Sequence, residues 1–99
     1  MIDLETIIGF DWDAGNARKN EKHGVSMAEA EQVFFNTPLL FLEDSAHSQQ
    51  EPRIHALGKT DSDRALHITC TLRQSGQLIR VISARDMHRK ERAIYDQAN

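Results

Sequence analysis

Residues 65–73 read ALHITCTLR. The apolar and polar side chains of this stretch alternate: the apolar ones are Leu66, Ile68, Cys70 and Leu72, and the polar ones are His67, Thr69, Thr71 and Arg73. A period of two residues is that of a β-strand with one face in a core and the other polar. We therefore predict a strand over residues 65–73, with Cys70 as a small core residue.

Turn-forming residues flank this strand on both sides. A turn over Gly58–Asp63 precedes it and follows a predicted strand at residues 53–59, and Gln74–Gln77 is a hairpin signal before a predicted strand at residues 78–85. Short connections of this kind join antiparallel neighbours. Two further strands are predicted at residues 7–12 and 39–42.

Helix signals lie before and after this group of strands. Asp13 suits the N-cap of a polar helix over residues 14–22, which Gly24 would end. Ser26 and Glu29 form a capping-box pattern, and the helix that they open should end before Pro38. Its predicted apolar stripe is Met27, Ala30, Val33 and Phe34. The last predicted helix, capped by Asp86, has a weaker stripe of Met87, Lys90 or Glu91, Ile94 and Ala98.

The order of predicted elements is β-α-α-β-β-β-β-α, which indicates an α+β fold with the helices on one face of an antiparallel sheet. With 99 residues, of which 39% are hydrophobic and 27% charged, the chain should form a single domain over residues 1–99. The single cysteine excludes an intramolecular disulfide, and no apolar run is long enough to span a membrane. The expected location is the cytoplasm.

The net charge of −3 is unevenly distributed along the chain. Residues 1–52 carry three Lys/Arg and ten Asp/Glu, a net −7, whereas residues 53–99 carry nine and five, a net +4. This asymmetry suggests a polyanion-binding surface in the C-terminal half, although two solvated surfaces can also differ in charge by chance.

The polar face of the predicted strands concentrates cations and imidazoles. Arg53, His55, His67, Thr69 and Arg80 should share it, and such a surface could hold and cleave a phosphodiester, although exposed sheet faces carry such residues routinely. The final helix adds a basic row of Arg85, His88 or Arg89, and Arg92, which lie three or four residues apart. The histidine spacings match no zinc motif, so neither a metal nor a cofactor is predicted.

Several short strings together resemble the BrnT toxin family. They are FDWD at residues 10–13, NEKHGV at 20–25, an E-x-R at 51–53, ISAR at 82–85 and RKER at 89–92, with Ala30, Phe34, Gly58 and Tyr95 between or after them. The strings cover nearly the whole chain, in the expected order. The chain departs from the family pattern at Asp11, Asn16 and Pro52.

The resemblance implies a RelE-like fold and a metal-independent ribonuclease that belongs to a type II toxin–antitoxin operon. It also implies a BrnA-like ribbon-helix-helix antitoxin as partner, and operator DNA bound through the toxin–antitoxin complex. RNA supplies its own nucleophile, the 2′-hydroxyl, so the protein needs only to orient the chain, move a proton and stabilise charge.

On this basis we assign candidate roles to nine residues. The catalytic candidates are His23, as acid or base, and Arg53, Arg80 and Arg85, which would stabilise phosphate charge. The RNA-binding candidates are Lys22, His55, His67, Arg89 and Arg92. Structural alternatives exist for several: His23 could close a helix end, Arg85 could clamp a strand to a helix, and Lys22 could be an ordinary surface residue.

Two functions therefore compete. The first is an RNA-cleaving toxin that arrests translation and growth. The second is a catalytically inactive protein- or operator-binding module of the same fold, which the acidic first half favours. RNA cleavage that persists in EDTA would separate them.

Overall fold

The computed structural model of the protein describes residues 3–13, 23–44 and 53–98. The elements in these ranges are β1 (Gly9–Asp11), α1 (Met27–Val33), β2 (Leu40–Asp44), β3 (Arg53–Lys59), β4 (Ala65–Arg73), β5 (Leu78–Asp86) and α2 (Arg89–Gln97). A 3-10 turn, Leu4–Thr6, precedes β1. The α+β class is confirmed, whereas the helix predicted over residues 14–22 lies outside the described residues. Neither α1 nor α2 is long and apolar enough to cross a membrane.

The strands form one five-stranded sheet in the order β1-β5-β4-β3-β2. Strands β2 to β5 pair in antiparallel fashion with their neighbours, as the short turns predict. The predicted bounds of β3 and β4 are confirmed, and β5 is one residue longer than predicted. The β4–β5 hairpin places Gln74, Ser75 and Gly76 at positive φ, which a tight turn requires.

The prediction of an entirely antiparallel sheet is wrong, because β1 pairs with β5 in parallel. The rule that predicted antiparallel pairing depends on short connections, and it holds only for strands joined by them. Along the sequence, α1 and strands β2, β3 and β4 come between β1 and β5. After this long connection, the chain runs through β5 in the same direction as through β1. The sheet is mixed, with β1 at one edge.

The two described helices lie on opposite faces of the sheet, which corrects the prediction that all helices share one face. Helix α1 packs Ala30, Val33 and Phe34 into the core with the apolar side chains of β4 and β5. A Cβ at Gly58 would lie only 2.7 Å from Val33 Cγ1, so the glycine allows α1 to approach β3 closely. Helix α2 instead contacts His67, on the polar face, through Glu91.

The capping box at the start of α1 is confirmed. The Glu29 N–H donates to Ser26 Oγ at 3.1 Å, and the Ser26 N–H donates to Glu29 Oε1 at 3.0 Å. Arg64 then ties this helix start to the sheet, since its guanidinium binds Glu29 Oε2 at 3.2 Å and Asp86 Oδ1 at 2.8 Å. Met27, which was predicted on the apolar stripe, is exposed.

The predicted start and apolar stripe of the last helix are wrong. Asp86 remains in β5, where Arg64 holds its carboxylate, and the N-cap is His88, whose N–H donates to Glu91 Oε1 at 2.7 Å. The buried side chain of α2 is Tyr95, whereas Ile94 is 47% exposed. The Tyr95 hydroxyl donates to the Pro38 carbonyl at 2.6 Å, which docks α2 onto the segment before β2.

Candidate functional site

The candidate site is built on the face of the sheet opposite α1. The strand register places His55 opposite Thr69, and His67 opposite Arg85. Because side chains alternate along a strand, these four residues project from one face. The sequence predicted His55, His67 and Thr69 on this face, whereas it grouped Arg85 with the basic row of the last helix.

The two imidazoles of this face stack on each other. The ring centroids of His55 and His67 are 4.9 Å apart, with 33° between the ring planes. His55 Nδ1 lies 3.1 Å from Thr69 Oγ1, at hydrogen-bond distance. The Thr69 hydroxyl thus fixes the orientation of the His55 ring, and His55 is the half-buried member of the pair.

His67 is buried, and this corrects the prediction of an exposed polar face. Only 7% of His67 is exposed, and Thr69 and Thr71 are buried as well. Its Nδ1 atom has no hydrogen-bond partner among the described residues. A short sequence window does not reveal this burial, because it depends on segments that are distant in the chain, such as α2, whose Glu91 lies 3.8 Å from His67.

Arg85 joins the imidazole pair to the start of α2. Its guanidinium donates two hydrogen bonds to the Glu91 carboxylate, at 2.8 and 2.9 Å. Glu91 Oε2 also lies 3.8 Å from His67 Nε2. This geometry matches the strand-to-helix clamp proposed as one role of Arg85, and Glu91 is the cluster member that the sequence analysis did not assign. In the sequence, Glu91 belongs to the RKER string and to the predicted stripe of the last helix, and neither feature predicts a contact with Arg85.

The charges of this cluster follow from burial and pairing. Burial, helped by the positive charge of Arg85, lowers the pKa of His67 to about 4, against the opposing effect of Glu91. The hydrogen bonds from Arg85 lower the pKa of Glu91 to about 2. At neutral pH, His67 is therefore neutral and Glu91 ionised, so their contact is not an ion pair.

The buried neutral imidazole predicts a loss of stability in mild acid. Between pH 6.5 and about 4 the unfolded chain binds a proton at His67 and the folded chain does not, so the free energy of unfolding should decrease as the pH falls. The contribution is at most about 1.4 kcal/mol per pH unit. Urea unfolding of wild type and His67→Gln across this range measures it.

The difference in unfolding free energy between the two proteins should stay constant above pH 7 and shrink below it, because His67→Gln lacks this titration. A constant difference down to pH 4.5 would contradict the assignment of a neutral, buried His67.

Arg80 and Arg53 lie on the same face as the imidazoles. Arg80 pairs with Thr71 in the register, and its guanidinium binds the carboxylates of both Asp11 and Asp13. Arg53, at the start of β3, is half-buried and shares the face of His55 by its position two residues earlier. The structure thus brings Arg53 and Arg80 to one face, as the sequence predicted, and adds Arg85 from β5.

The other candidates lie elsewhere or outside the described residues. His23 is exposed in a turn before Gly24, and Arg64 Nη1 binds the Gly24 carbonyl at 2.7 Å. This turn adjoins α1, on the opposite side of the sheet from the imidazole pair. Arg89 and Arg92 are exposed on α2, and Arg92 Nε lies 3.5 Å from Asp96 Oδ1. Lys22 lies outside the described residues.

The donor groups of this site favour proton transfer and anion binding over metal ligation. Within residues 3–13, 23–44 and 53–98, no three His, Cys, Asp or Glu side chains gather as a metal site would require. Imidazoles next to guanidinium groups can exchange protons and stabilise negative charge at a phosphate.

Comparison with known proteins bears on this chemistry. A family described as the ribonuclease toxin BrnT of type II toxin–antitoxin systems matches residues 12–91. No curated protein matches the chain. The match begins one residue after β1 and ends at Glu91. It therefore includes both imidazoles and the three arginines of the site. The chain belongs to the BrnT family of ribonuclease toxins of type II toxin–antitoxin systems.

Proposed function

We propose that this protein is an endoribonuclease that cleaves RNA without a metal ion, using the cluster around His55. The observation that carries this proposal is the stacked pair of imidazoles, 4.9 Å apart, on the sheet face that also carries three arginines. Its action on cellular RNA would take place in the cytoplasm and would arrest translation and growth.

The proposed reaction uses only atoms of the RNA and one imidazole. His55 takes the proton of a ribose 2′-hydroxyl, and the 2′-oxygen forms a bond to the adjacent phosphorus. The bond from phosphorus to the 5′-oxygen breaks, and this oxygen leaves with the electron pair and receives the proton from His55. The products are a 2′,3′-cyclic phosphate and a 5′-hydroxyl.

The neighbours of His55 support this role. The Thr69 hydroxyl holds the ring through Nδ1, which makes Thr69 a positioning residue. His67, which is neutral at pH 7, stacks beneath without adding a positive charge that would repel a protonated His55. Arg53 and Arg80 would bind phosphate oxygens and stabilise the extra charge of the transition state.

His23 remains a second candidate for the acid or base. It is exposed and could reach RNA, but the described residues around its turn are those of the Arg64 network. The cleavage rates of the His23→Ala and His55→Ala variants decide between them.

One observation favours the non-catalytic alternative. Arg80 is bound by two carboxylates and Arg85 by one, so their positive charges are already compensated. A protein that binds only an antitoxin or an operator complex would not need these arginines for RNA. RNA cleavage would then be absent in any buffer.

The partner implied by the family is an antitoxin, and we propose that it is a ribbon-helix-helix protein of the BrnA type that binds operator DNA with the toxin. Incubation of purified protein with RNA in EDTA tests the proposed activity. Cleavage in EDTA, with growth arrest on expression, is expected. Loss of cleavage in EDTA and its return with Mg²⁺ would contradict metal independence.

The salt dependence of RNA binding tests the role of Arg53. Each phosphate neutralised on single-stranded RNA contributes roughly 0.7 to the slope of log affinity against log salt. Arg53→Ala should therefore reduce the slope by about that amount, whereas Arg73→Ala, at the hairpin end of β4, should change it less. Filter binding across a salt series measures both slopes. An equal reduction of the slope in both variants would mean that RNA binding depends only on the overall charge of the protein.

A further inference from the structure

An apolar pocket of about 230 Å³ lies beside β1, away from the proposed RNA-cleaving site. Phe10, Phe34 and Ile79 form its base, and Leu4, Ile8 and Phe35 stand around it. Phe10 pairs with Ile79 in the register, whereas the neighbouring residue pair, Asp11 and Arg80, belongs to the face of His55. The pocket is therefore on the opposite face of the sheet from the imidazole pair.

The side chains around this pocket are unusually exposed for their type. Ile8 is 73% exposed, Phe35 is 76% exposed and Leu4 is 44% exposed. Single exposed apolar residues are common on protein surfaces, but a group of them around an apolar pocket is typical of a protein interface. We call Leu4, Ile8 and Phe35, with the pocket between them, the apolar patch.

The patch is held in place before any partner binds. The Phe35 and Phe10 rings are 6.1 Å apart in an edge-on arrangement, and Phe10 packs against Phe34 at 5.6 Å. The Ile8 N–H donates to the Gln77 carbonyl at 2.8 Å, which fixes the chain next to β1. Anchors that are already ordered lose little conformational entropy on binding.

The charge around the patch identifies the partner. Leu4 and Ile8 lie in an acidic stretch, residues 3–13, which contains four Asp/Glu and no Lys/Arg. Asp11 and Asp13 are compensated by Arg80, and Glu29 by Arg64. Asp3 and Glu5, both exposed, flank Leu4 directly. Such a surface repels RNA and attracts a segment that combines apolar and basic side chains.

We propose that the apolar patch is the docking surface for the antitoxin, and that it takes a segment with two or three apolar side chains among Lys or Arg residues. This inference rests on the toxin–antitoxin function proposed above. The location of the patch has a further consequence: a segment docked there anchors the antitoxin without itself covering His55.

The experiment titrates the purified antitoxin against wild type, Ile8→Asp, Phe35→Asp and the control Ile94→Asp. Ile94 is also a large, exposed apolar residue, but it lies on α2. We expect each patch variant to bind at least roughly 30-fold more weakly, as interface anchors do, and the control to bind like wild type. Circular dichroism melting should show that all four proteins are folded. The affinity of wild type should also fall as salt is raised.

The contradicting outcomes are distinct. Unchanged affinity of both patch variants, or an equal loss in Ile94→Asp, would overturn the proposal. A wild-type dimer in sedimentation that Phe35→Asp dissociates, with antitoxin affinity unchanged, would assign the patch to a second copy of the chain.

RNA cleavage by the same variants separates this proposal from the proposed function. If the function is right, Ile8→Asp and Phe35→Asp cleave RNA like wild type but escape inhibition by the antitoxin. If wild type cleaves no RNA and still binds antitoxin through the patch, the proposed catalysis is wrong and the docking surface stands.

Discussion

Replacement of His55 with alanine is expected to reduce the rate of RNA cleavage by roughly 10²–10⁴-fold, the usual contribution of a general acid or base. His55 carries this prediction because its ring is half-buried, oriented by Thr69 and stacked on a neutral imidazole. The effect should appear in the cleavage rate of bound RNA, with little change in RNA affinity. Single-turnover kinetics with excess protein measure that rate directly.

Two further variants make this result specific. Thr69→Val should lower the rate less than His55→Ala does, because the imidazole stays but loses its fixed orientation. His23→Ala should keep most activity if His55 is the acid or base. The reverse pattern, with His23→Ala inactive and His55→Ala active, would show that His23, in the turn before α1, is the acid or base.

Replacement of Tyr95 with alanine is expected to lower the free energy of unfolding by about 3–5 kcal/mol, the range for removal of a large buried aromatic ring. Tyr95 is completely buried, and its hydroxyl donates to the Pro38 carbonyl. Lys59 Nζ also lies 5.9 Å from the ring centroid. A loss of this size is a large part of the 5–15 kcal/mol that typically stabilises a domain.

Tyr95→Phe separates ring packing from the hydrogen bond. It keeps the ring and should cost only about 1 kcal/mol, the net value of one hydrogen bond. Ile94→Ala, one residue earlier and exposed, should change stability little. Urea unfolding at pH 7 measures all three variants. Equal effects of the Tyr95→Ala and Ile94→Ala variants would contradict the docking of α2 through Tyr95.

The sequence predicted the antiparallel part of the sheet well, because this part depends on local signals. The strict alternation in residues 65–73 set the faces of β4, and the turns on either side fixed its neighbours. The capping box at Ser26 and Glu29 likewise depends on residues three apart. Interactions of this kind can be recognised within a short window.

The features that the sequence did not predict all depend on contacts between distant segments. The parallel pairing of β1 joins residues 9–11 to residues 78–80. Asp86 was predicted as a helix cap, but Arg64 holds it from 22 residues away. The hydroxyl of the buried Tyr95 donates to the carbonyl of Pro38, 57 residues earlier. Periodicity in a short stretch does not encode such pairs.

In the candidate site, too, local sequence predicted some features, and contacts between distant segments determined the others. The alternation of β4 and its turns predicted that Arg53, His55, His67 and Arg80 share a face. It did not predict that His67 would be buried or that α2 would bring Glu91 to Arg85. The pKa values of His67 and Glu91 depend on this burial and on the Arg85–Glu91 contact, so they could be derived only from the structure.

RNA cleavage by His55 without a metal ion is tested most directly with one short DNA oligonucleotide that contains a single ribonucleotide. The oligonucleotide is incubated with the protein in EDTA. The proposed mechanism predicts cleavage after the ribonucleotide, with a cyclic phosphate on one product and a 5′-hydroxyl on the other, and loss of this cleavage in His55→Ala. Cleavage of the same oligonucleotide made entirely of deoxyribose, or cleavage that requires Mg²⁺, would contradict it.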